Sequence, residues 1–598
     1  MKGCEIMKKL LTGNEAIARG AYEYGISYAS AYPGTPSTEI LENIANYSED
    51  IIAEWAPNEK VALEAVIGAS YAGARVIASM KHVGLNVAAD PLMTFSFTGV
   101  NGGAVIISAD EPGMHSSQNE QDNRYYAKFG KLPMLEPSDS AECKDMIGYA
   151  LDISEEYDTP VMIRMTTRVC HSKSIVNFGE RKSVKIKEYV KNERKNISIP
   201  SYARLMHVKV DNALKELEKI SNDSSLNYCE YYNKKIGIIS AGAAYEYAKE
   251  VFEENASYLK IGFTNPLPIE KIRKFADEVD QLYVIEELEP FMEEQIKADG
   301  IKCIGKEIVP RLGELSPTIL RKVFFEKIDN SNTFNDIEIP MRPPTLCSGC
   351  PHRGFFYALK KRSDIMVTGD IGCYGLGAIA PLNAVDTILC MGASVSMGHG
   401  AQKVFTKFGI SKRTVAVLGD STFFHTGINS LIDVVYNKSK VVTCILDNRI
   451  TGMTGHQENP GTGYTLDGSS TNIISIEDVC KAIGVKHIEV VNPLDLTATE
   501  EAVNRALDYN EAAVIITRWP CALKKYSTED IKEFGLIKDS CQVDEEKCIG
   551  CRKCIGTGCP SLEFNSEIKK VKIDPNTCVG CEVCMQTCPV SAIRKVVK

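Results

Sequence analysis

The sequence predicts a multi-domain α/β chain: doubly wound, largely parallel-sheet domains followed by a small α+β module rich in cysteine. Three observations predict it. Short β-branched runs alternate with helix-patterned stretches over most of the chain. The 598 residues suffice for about four domains of ordinary size. Eight of the 21 cysteines fall after residue 547.

The first α/β domain covers residues 1–180. A helix with apolar Ala16, Ile17 and Ala21 leads to the run Tyr28–Tyr32 and the turn Pro33-Gly34-Thr35-Pro36. A second helix carries Val61, Ala62, Ala65, Val66 and Ala69, and strands are predicted at Val76–Ser79, Ala104–Ser108 and Pro160–Met165. Residues 181–235 are charged, with a basic stretch from Arg181 to Lys195, and read as a linker with some helix. Residues 236–335 form a second domain, with strands Ile236–Ser240 and Leu282–Ile285. The third, 340–530, has strands Thr414–Leu418 and Val441–Leu446 with a helical stretch Gly427–Tyr436 between them. Residues 525–545 read as a charged tether to the cysteine module at 540–598.

Composition excludes several classes. Lys and Arg number 68 against 78 Asp and Glu, a net charge of −10, which argues against a general nucleic-acid binder while leaving local basic patches open. No stretch of 18 apolar residues is found, so no membrane span is expected. Met1–Leu11 lacks the apolar core and cleavage site of an export signal, so a cytoplasmic location is expected. Thiols there stay reduced, and clustered cysteines point to metal before disulfide.

The module reads Cys548-x2-Cys551-x2-Cys554-x4-Cys559-Pro560, then Cys578-x2-Cys581-x2-Cys584-x3-Cys588-Pro589. This resembles the bacterial two-cluster ferredoxin pattern, with one extra residue before Cys559. In that pattern three close cysteines grip one [4Fe–4S] cluster and the fourth crosses to the other. Cys548, Cys551, Cys554 and Cys588 then hold one cluster, and Cys578, Cys581, Cys584 and Cys559 the second. Zinc would more often show two CxxC pairs than two triplets.

Strand Thr414–Leu418 runs into Gly419-Asp420-Ser421, and the next strand into Asp447-Asn448-Arg449-Ile450. This is similar to the thiamine diphosphate fingerprint, with Ser421 and Asp447 as departures. Asp420, the Asn448 amide oxygen and the Ile450 carbonyl offer Mg²⁺ the hard oxygens it prefers, with diphosphate oxygens and water completing the shell. The plainer reading is a strand–turn–helix with an Asp cap. The helix opening at Asn58-Glu59 resembles the pyrimidine-binding helix of thiamine enzymes, where Glu59 would share a proton with the aminopyrimidine. A helix-dipole carboxylate is the alternative, and Glu54 and Glu64 are competitors.

A third set comprises Cys347 and Cys350 in a CxxC, Cys373 between glycines in Gly372-Cys373-Tyr374-Gly375, and Cys521 after Trp519-Pro520. It resembles the proximal-cluster cysteines of 2-oxoacid:ferredoxin oxidoreductases, implying a third [4Fe–4S] cluster. Buried cysteines without iron are the alternative.

Taken together the chain resembles the large (alpha) subunits of indolepyruvate ferredoxin oxidoreductases over nearly its whole length. The strings that carry this include Tyr32-Pro33-Gly34-Thr35-Pro36-Ser37, the stretch from Asp110 to Glu120, Cys347–Arg353 and Gly452–Gln457. The second domain is similar to the transketolase C-terminal type. The resemblance implies thiamine diphosphate with Mg²⁺, a smaller beta subunit in a heterodimer or α2β2 assembly, and external ferredoxin. It also implies the reaction of an aryl pyruvate with coenzyme A to give aryl-acetyl-CoA, CO2 and reduced ferredoxin. Gly419, Ser421, Gly452, Cys373 and Tyr374 would line the cofactor. Thr35 could bond the substrate carboxylate or carbonyl, or simply cap a helix. His115 and Arg124 lie near a polar loop that could face the substrate, and Arg124 could equally be an ion pair. His425 and His456 flank the cofactor loops. Rival readings are an oxidoreductase for pyruvate, 2-oxoglutarate or branched-chain acids, a non-oxidative decarboxylase, and an electron-transfer subunit on a vestigial thiamine fold.

Overall fold

The structure is a computed structural model and describes residues 7–326, 343–360, 362–535 and 539–596. The chain forms two compact units, Met1–Asp336 and Ile337–Lys598.

In the first unit a seven-stranded sheet runs, edge to edge, Phe263–Asn265, Met134–Leu135, Val161–Thr166, Ala104–Asp110, Val76–Lys81, Tyr28–Ala31 and Ile52–Trp55. All neighbours are parallel except the Phe263–Asn265 edge. Its three central strands are buried nearly residue by residue, as a parallel sheet covered on both faces requires. The predicted helices are Gly13–Glu23, opened by a capping box of Thr12 and Glu15, and Glu59–Tyr71, capped by Asn58.

The expected domain boundaries need correction here. The segment read as a linker contains the 24-residue helix Pro200–Asp223 and the strand Asn227–Glu230. That strand is the antiparallel edge of a four-stranded sheet otherwise made of Ser257–Ile261, Ile236–Ser240 and Gln281–Ile285. Phe263–Asn265 in turn leaves this second segment and joins the first sheet. Val76, Ile106 and Met134 share one apolar core with Ile239, Leu259 and Val284, so no break in packing falls at 235/236.

The second unit is built on a five-stranded, all-parallel sheet in the order Ile365–Thr368, Arg413–Gly419, Val442–Asp447, Ala513–Arg518, His487–Val491. The expected helix between its second and third strands is Ile428–Tyr436. The cysteine module adds two antiparallel pairs, Ser540–Val543 with Ile593–Val596 and Leu562–Asn565 with Lys570–Ile573. The stretch read as a tether contains the capped helix Thr528–Phe534 and the first of those strands, while residues 536–538 lie outside the described residues.

Candidate active site

In the second unit Asp420 opens the short helix Asp420–Thr422 directly after one strand and Asn448 opens the loop leaving the next, and the two strands are parallel neighbours in register. Both residues therefore lie at one edge, the carboxyl end, where open α/β sheets bind ligands. Asp420, Asn448 and Ile450 are all buried. One amide position of Asn448 lies 2.7 Å from the Ile450 carbonyl oxygen and 3.2 Å from Asp420 Oδ1. Occupied by nitrogen it donates to both; occupied by oxygen it closes a set of three oxygens about one point. A carboxylate, an amide and a carbonyl in that arrangement fit Mg²⁺. Burial, and then the charge of Asp447, push the Asp420 carboxyl up to about 7, a penalty that a cation at this point relieves. Among the described residues no three His, Cys, Asp or Glu side chains gather tightly enough to hold a single metal ion, and the oxygen set here is a mixed one of a carboxylate, an amide and a main-chain carbonyl.

The sequence departure at Asp447 has a physical reason. Its carboxylate accepts from Arg518 Nε at 2.6 Å and from the Arg449 N–H at 3.1 Å, tying two loops at the sheet edge rather than reaching the oxygen set. Asn459, which the sequence reading missed, donates from Nδ2 to Asp420 Oδ2 at 3.2 Å and so leaves Oδ1 to face Asn448. Asp370, also missed as a site residue, accepts from the N–H groups of Ile371, Gly392 and Ser394, and burial pushes it up to about 6.

Tyr374 lies against Gly419: a Cβ there would meet its ring at 2.7 Å, so that position admits only glycine without rearrangement. The Tyr374 hydroxyl donates to the Ile371 carbonyl at 2.6 Å and meets the Thr422 hydroxyl at 2.9 Å. Ser421 is buried beside Asp420, and Gly452 lies near Asn448, where a Cβ would meet the amide nitrogen only in ordinary contact at 3.7 Å. His425 is buried in a π turn, Phe423–Gly427, a deformation of the kind often found at functional sites.

Cys347, Cys350, Cys373 and Cys521 come together from three segments. Burial first, and then the other thiols, push Cys350 up to about 12 and Cys373 to about 11, while Cys521 is raised by burial and also by Cys347 and Asp420. The main-chain N–H of Cys521 donates to the Asn448 carbonyl at 3.0 Å, so the four-thiol set borders the oxygen set. His456 presents Nε2 3.7 Å from Cys521 Sγ.

The module's cysteines separate into two cavities. Cys548, Cys551, Cys554 and Cys588 line one of about 320 Å³. Cys559, Cys578, Cys581 and Cys584 line the other, of about 380 Å³, together with Cys541. Each cavity thus draws three cysteines from one run and one from the other.

In the first unit Glu59 is the first residue of its helix and is buried. Gly84 leaves room for it, since a Cβ there would lie 2.6 Å from Glu59 Oε1. The competitors are surface groups: Glu64 pairs with Lys60, and Glu54 accepts from the Tyr28 hydroxyl at 2.7 Å. Lys81, unmarked in the sequence, is three-quarters or more buried at the end of strand Val76–Lys81. Its ammonium stands 3.8 Å from Glu111 and feels Glu59, and burial lowers its pKa. A Cβ at Gly34 would meet the Lys81 stem at 3.4 Å, and the next residue, Thr35, is half-buried and precedes a cis proline. Of the two remaining expectations, Arg124 takes the ion-pair alternative and His115 lies at the surface. Arg124 is fully buried and committed to Asp122, to Glu286 at 2.6 Å and to the carbonyls of Glu287 and Glu289, so it is an internal clamp rather than a substrate anchor. His115 is exposed and lies 3.7 Å from Glu314.

Residues 370–517 match the model of the thiamine pyrophosphate enzyme C-terminal binding domain. Residues 19–234 match the thiamine diphosphate-binding domain of pyruvate flavodoxin/ferredoxin oxidoreductases, and 540–589 a 4Fe-4S dicluster domain. Indolepyruvate oxidoreductase subunit IorA of Pyrococcus horikoshii is 40% identical, aligned over 98% of this chain and 97% of its own. The subunits so named in Archaeoglobus fulgidus and Methanothermobacter marburgensis are each 39% identical, over 99% and 98% of this chain and 98% and 97% of theirs. No helix among the described residues is long and apolar enough to cross a membrane.

Proposed function

The chain belongs to the indolepyruvate oxidoreductase IorA subunit family, and on that premise we propose that it oxidatively decarboxylates aryl pyruvates. With coenzyme A and a smaller partner subunit it converts indolepyruvate, phenylpyruvate or hydroxyphenylpyruvate to the aryl-acetyl-CoA and CO2, and passes electrons to external ferredoxin. The observation that carries the reading is the contact between the Cys521 N–H and the Asn448 carbonyl, because it sets a thiol cluster beside a Mg²⁺-type oxygen set.

Asp420, Asn448 and Ile450 would hold Mg²⁺ and through it the diphosphate. Thiamine diphosphate supplies, when bound, the nucleophilic carbon and the electron sink that decarboxylation of a 2-oxoacid needs. Asn459 fixes the rotamer of Asp420. Glu59, buried at the start of its helix, is placed to exchange a proton with a ring nitrogen. Thr35 offers its hydroxyl to the substrate's carboxylate or carbonyl. The three cysteine sets would hold [4Fe–4S] clusters, which supply one-electron acceptors. Two single-electron steps account for iron–sulfur ligands in a thiamine-type chain, where a plain decarboxylase needs none.

The test is a substrate panel on the full complex, purified without air, with coenzyme A and a viologen acceptor. Aryl pyruvates should give the highest kcat/KM. Preference for pyruvate or 2-oxoglutarate would replace the substrate, and CO2 release without acceptor reduction would replace the reaction class.

A further inference from the structure

Arg353 is 1% exposed, yet its partners are unlike those of the other deeply buried arginines. Arg124 is matched by Asp122 and Glu286, and Arg164 by Asp110 and Glu136. Among the described residues the Arg353 guanidinium donates instead to main-chain carbonyls: Thr557 at 2.8 Å, Cys347 at 2.9 Å, and Leu346. Its Nε has no partner there. A guanidinium keeps its charge at any pH a protein tolerates, and burying one without a counter-charge is costly. An anion is therefore owed at this place.

The position says which. The carbonyls of Leu346 and Cys347 belong to the segment carrying Cys347 and Cys350, whereas Thr557 belongs to the cysteine module. Arg353 also lines the cavity of Cys559, Cys578, Cys581 and Cys584, as do Ser348 and Gly349 from the same segment. The main-chain N–H of Arg353 donates to the Cys350 carbonyl at 3.2 Å. A [4Fe–4S] core bonded by four thiolates is anionic, and its potential depends on nearby charge and solvent exposure.

We propose that Arg353 is the shared counter-cation of two iron–sulfur clusters, one on Cys347, Cys350, Cys373 and Cys521 and one on Cys559, Cys578, Cys581 and Cys584, and that it raises the reduction potential of both. The inference rests on the cluster assignment above. A fixed positive charge in a low-dielectric interior makes adding an electron to either anion easier. Cys548, Cys551, Cys554 and Cys588 line a separate cavity that Arg353 does not line, and a cluster held there would serve as an internal reference.

The experiment is an EPR-monitored redox titration of the full complex, wild type against Arg353→Gln and Arg353→Lys, with iron counted in each. Gln keeps donors for the carbonyls and removes the charge; Lys keeps the charge. The expected result is a fall of about tenfold in the reduction equilibrium of both adjacent clusters in the Gln variant, or 59 mV for one electron, with the reference cluster still and Lys near wild type. Loss of those two clusters in Gln but not in Lys makes the same point. Unmoved potentials in Gln, or equal shifts or cluster loss in Gln and Lys, overturn the proposal. A wild-type iron content of about eight rather than about twelve per chain removes the third cluster, and the failure then lies in the cluster assignment.

Discussion

The main-chain N–H of Cys521 donates to the carbonyl of Asn448 at 3.0 Å. One residue is a ligand candidate for iron and the other for magnesium, so two kinds of chemistry share a single hydrogen bond. The Asp447–Arg518 ion pair at 2.6 Å clamps the ends of the two paired strands, one residue before Asn448 and three before Cys521.

Cys521→Ser tests the iron side. Iron should fall from about twelve to about eight per chain, since one cluster loses a ligand and the ferredoxin-type pair is untouched. The measurement is iron analysis with EPR on anaerobically prepared protein. An unchanged count would take Cys521 out of the ligand set.

Glu59→Gln tests the proton side. The variant should bind thiamine diphosphate but exchange the thiazolium C2 proton about 10²–10⁴-fold more slowly, the usual worth of a positioned acid–base group. Exchange followed by NMR in deuterated buffer decides it, and exchange at the wild-type rate removes Glu59 from the mechanism.

Arg124→Ala separates a clamp from a substrate anchor. It leaves Asp122 and Glu286 buried and unpaired, so the first unit should lose about 3–5 kcal/mol. Urea denaturation reads the loss, and KM for the 2-oxoacid should stay the same at low temperature. A raised KM with unaltered stability would restore the substrate role.

Much of this was legible in the sequence because its signals are local. Cys548 to Cys588 carry their grouping in their spacing, and Asp420, Asn448 and Ile450 sit at fixed offsets from strand ends. Arg124 was not legible, because its partner Glu286 is 162 residues away and only folding brings them together. Lys81 and Asn459 are single polar residues with no spacing signature, and their burial is a tertiary fact. The strand Phe263–Asn265 escaped for a related reason: three residues carry no period, and the first sheet supplies the edge they pair with.

His82 gives the first unit a pH dependence. Burial first, and then the charge of Lys81, lower its pKa from 6.5 to about 4. The unfolded chain therefore binds the proton more readily, and stability falls as pH drops from 6.5 towards 4, by about 2–3 kcal/mol at most. His82→Gln should flatten that part of the profile in thermal melts taken between pH 7.5 and pH 4.5. An equally steep loss in the variant would assign the effect to other groups.

The central claim is that thiamine diphosphate is held through Asp420. Thiamine diphosphate should be quantified by mass spectrometry in the anaerobically purified complex, supplied with Mg²⁺ and the cofactor, for wild type and Asp420→Ala. Close to one cofactor per chain is expected in the wild type and almost none in the variant. No cofactor in the wild type, or full retention in Asp420→Ala, would contradict it.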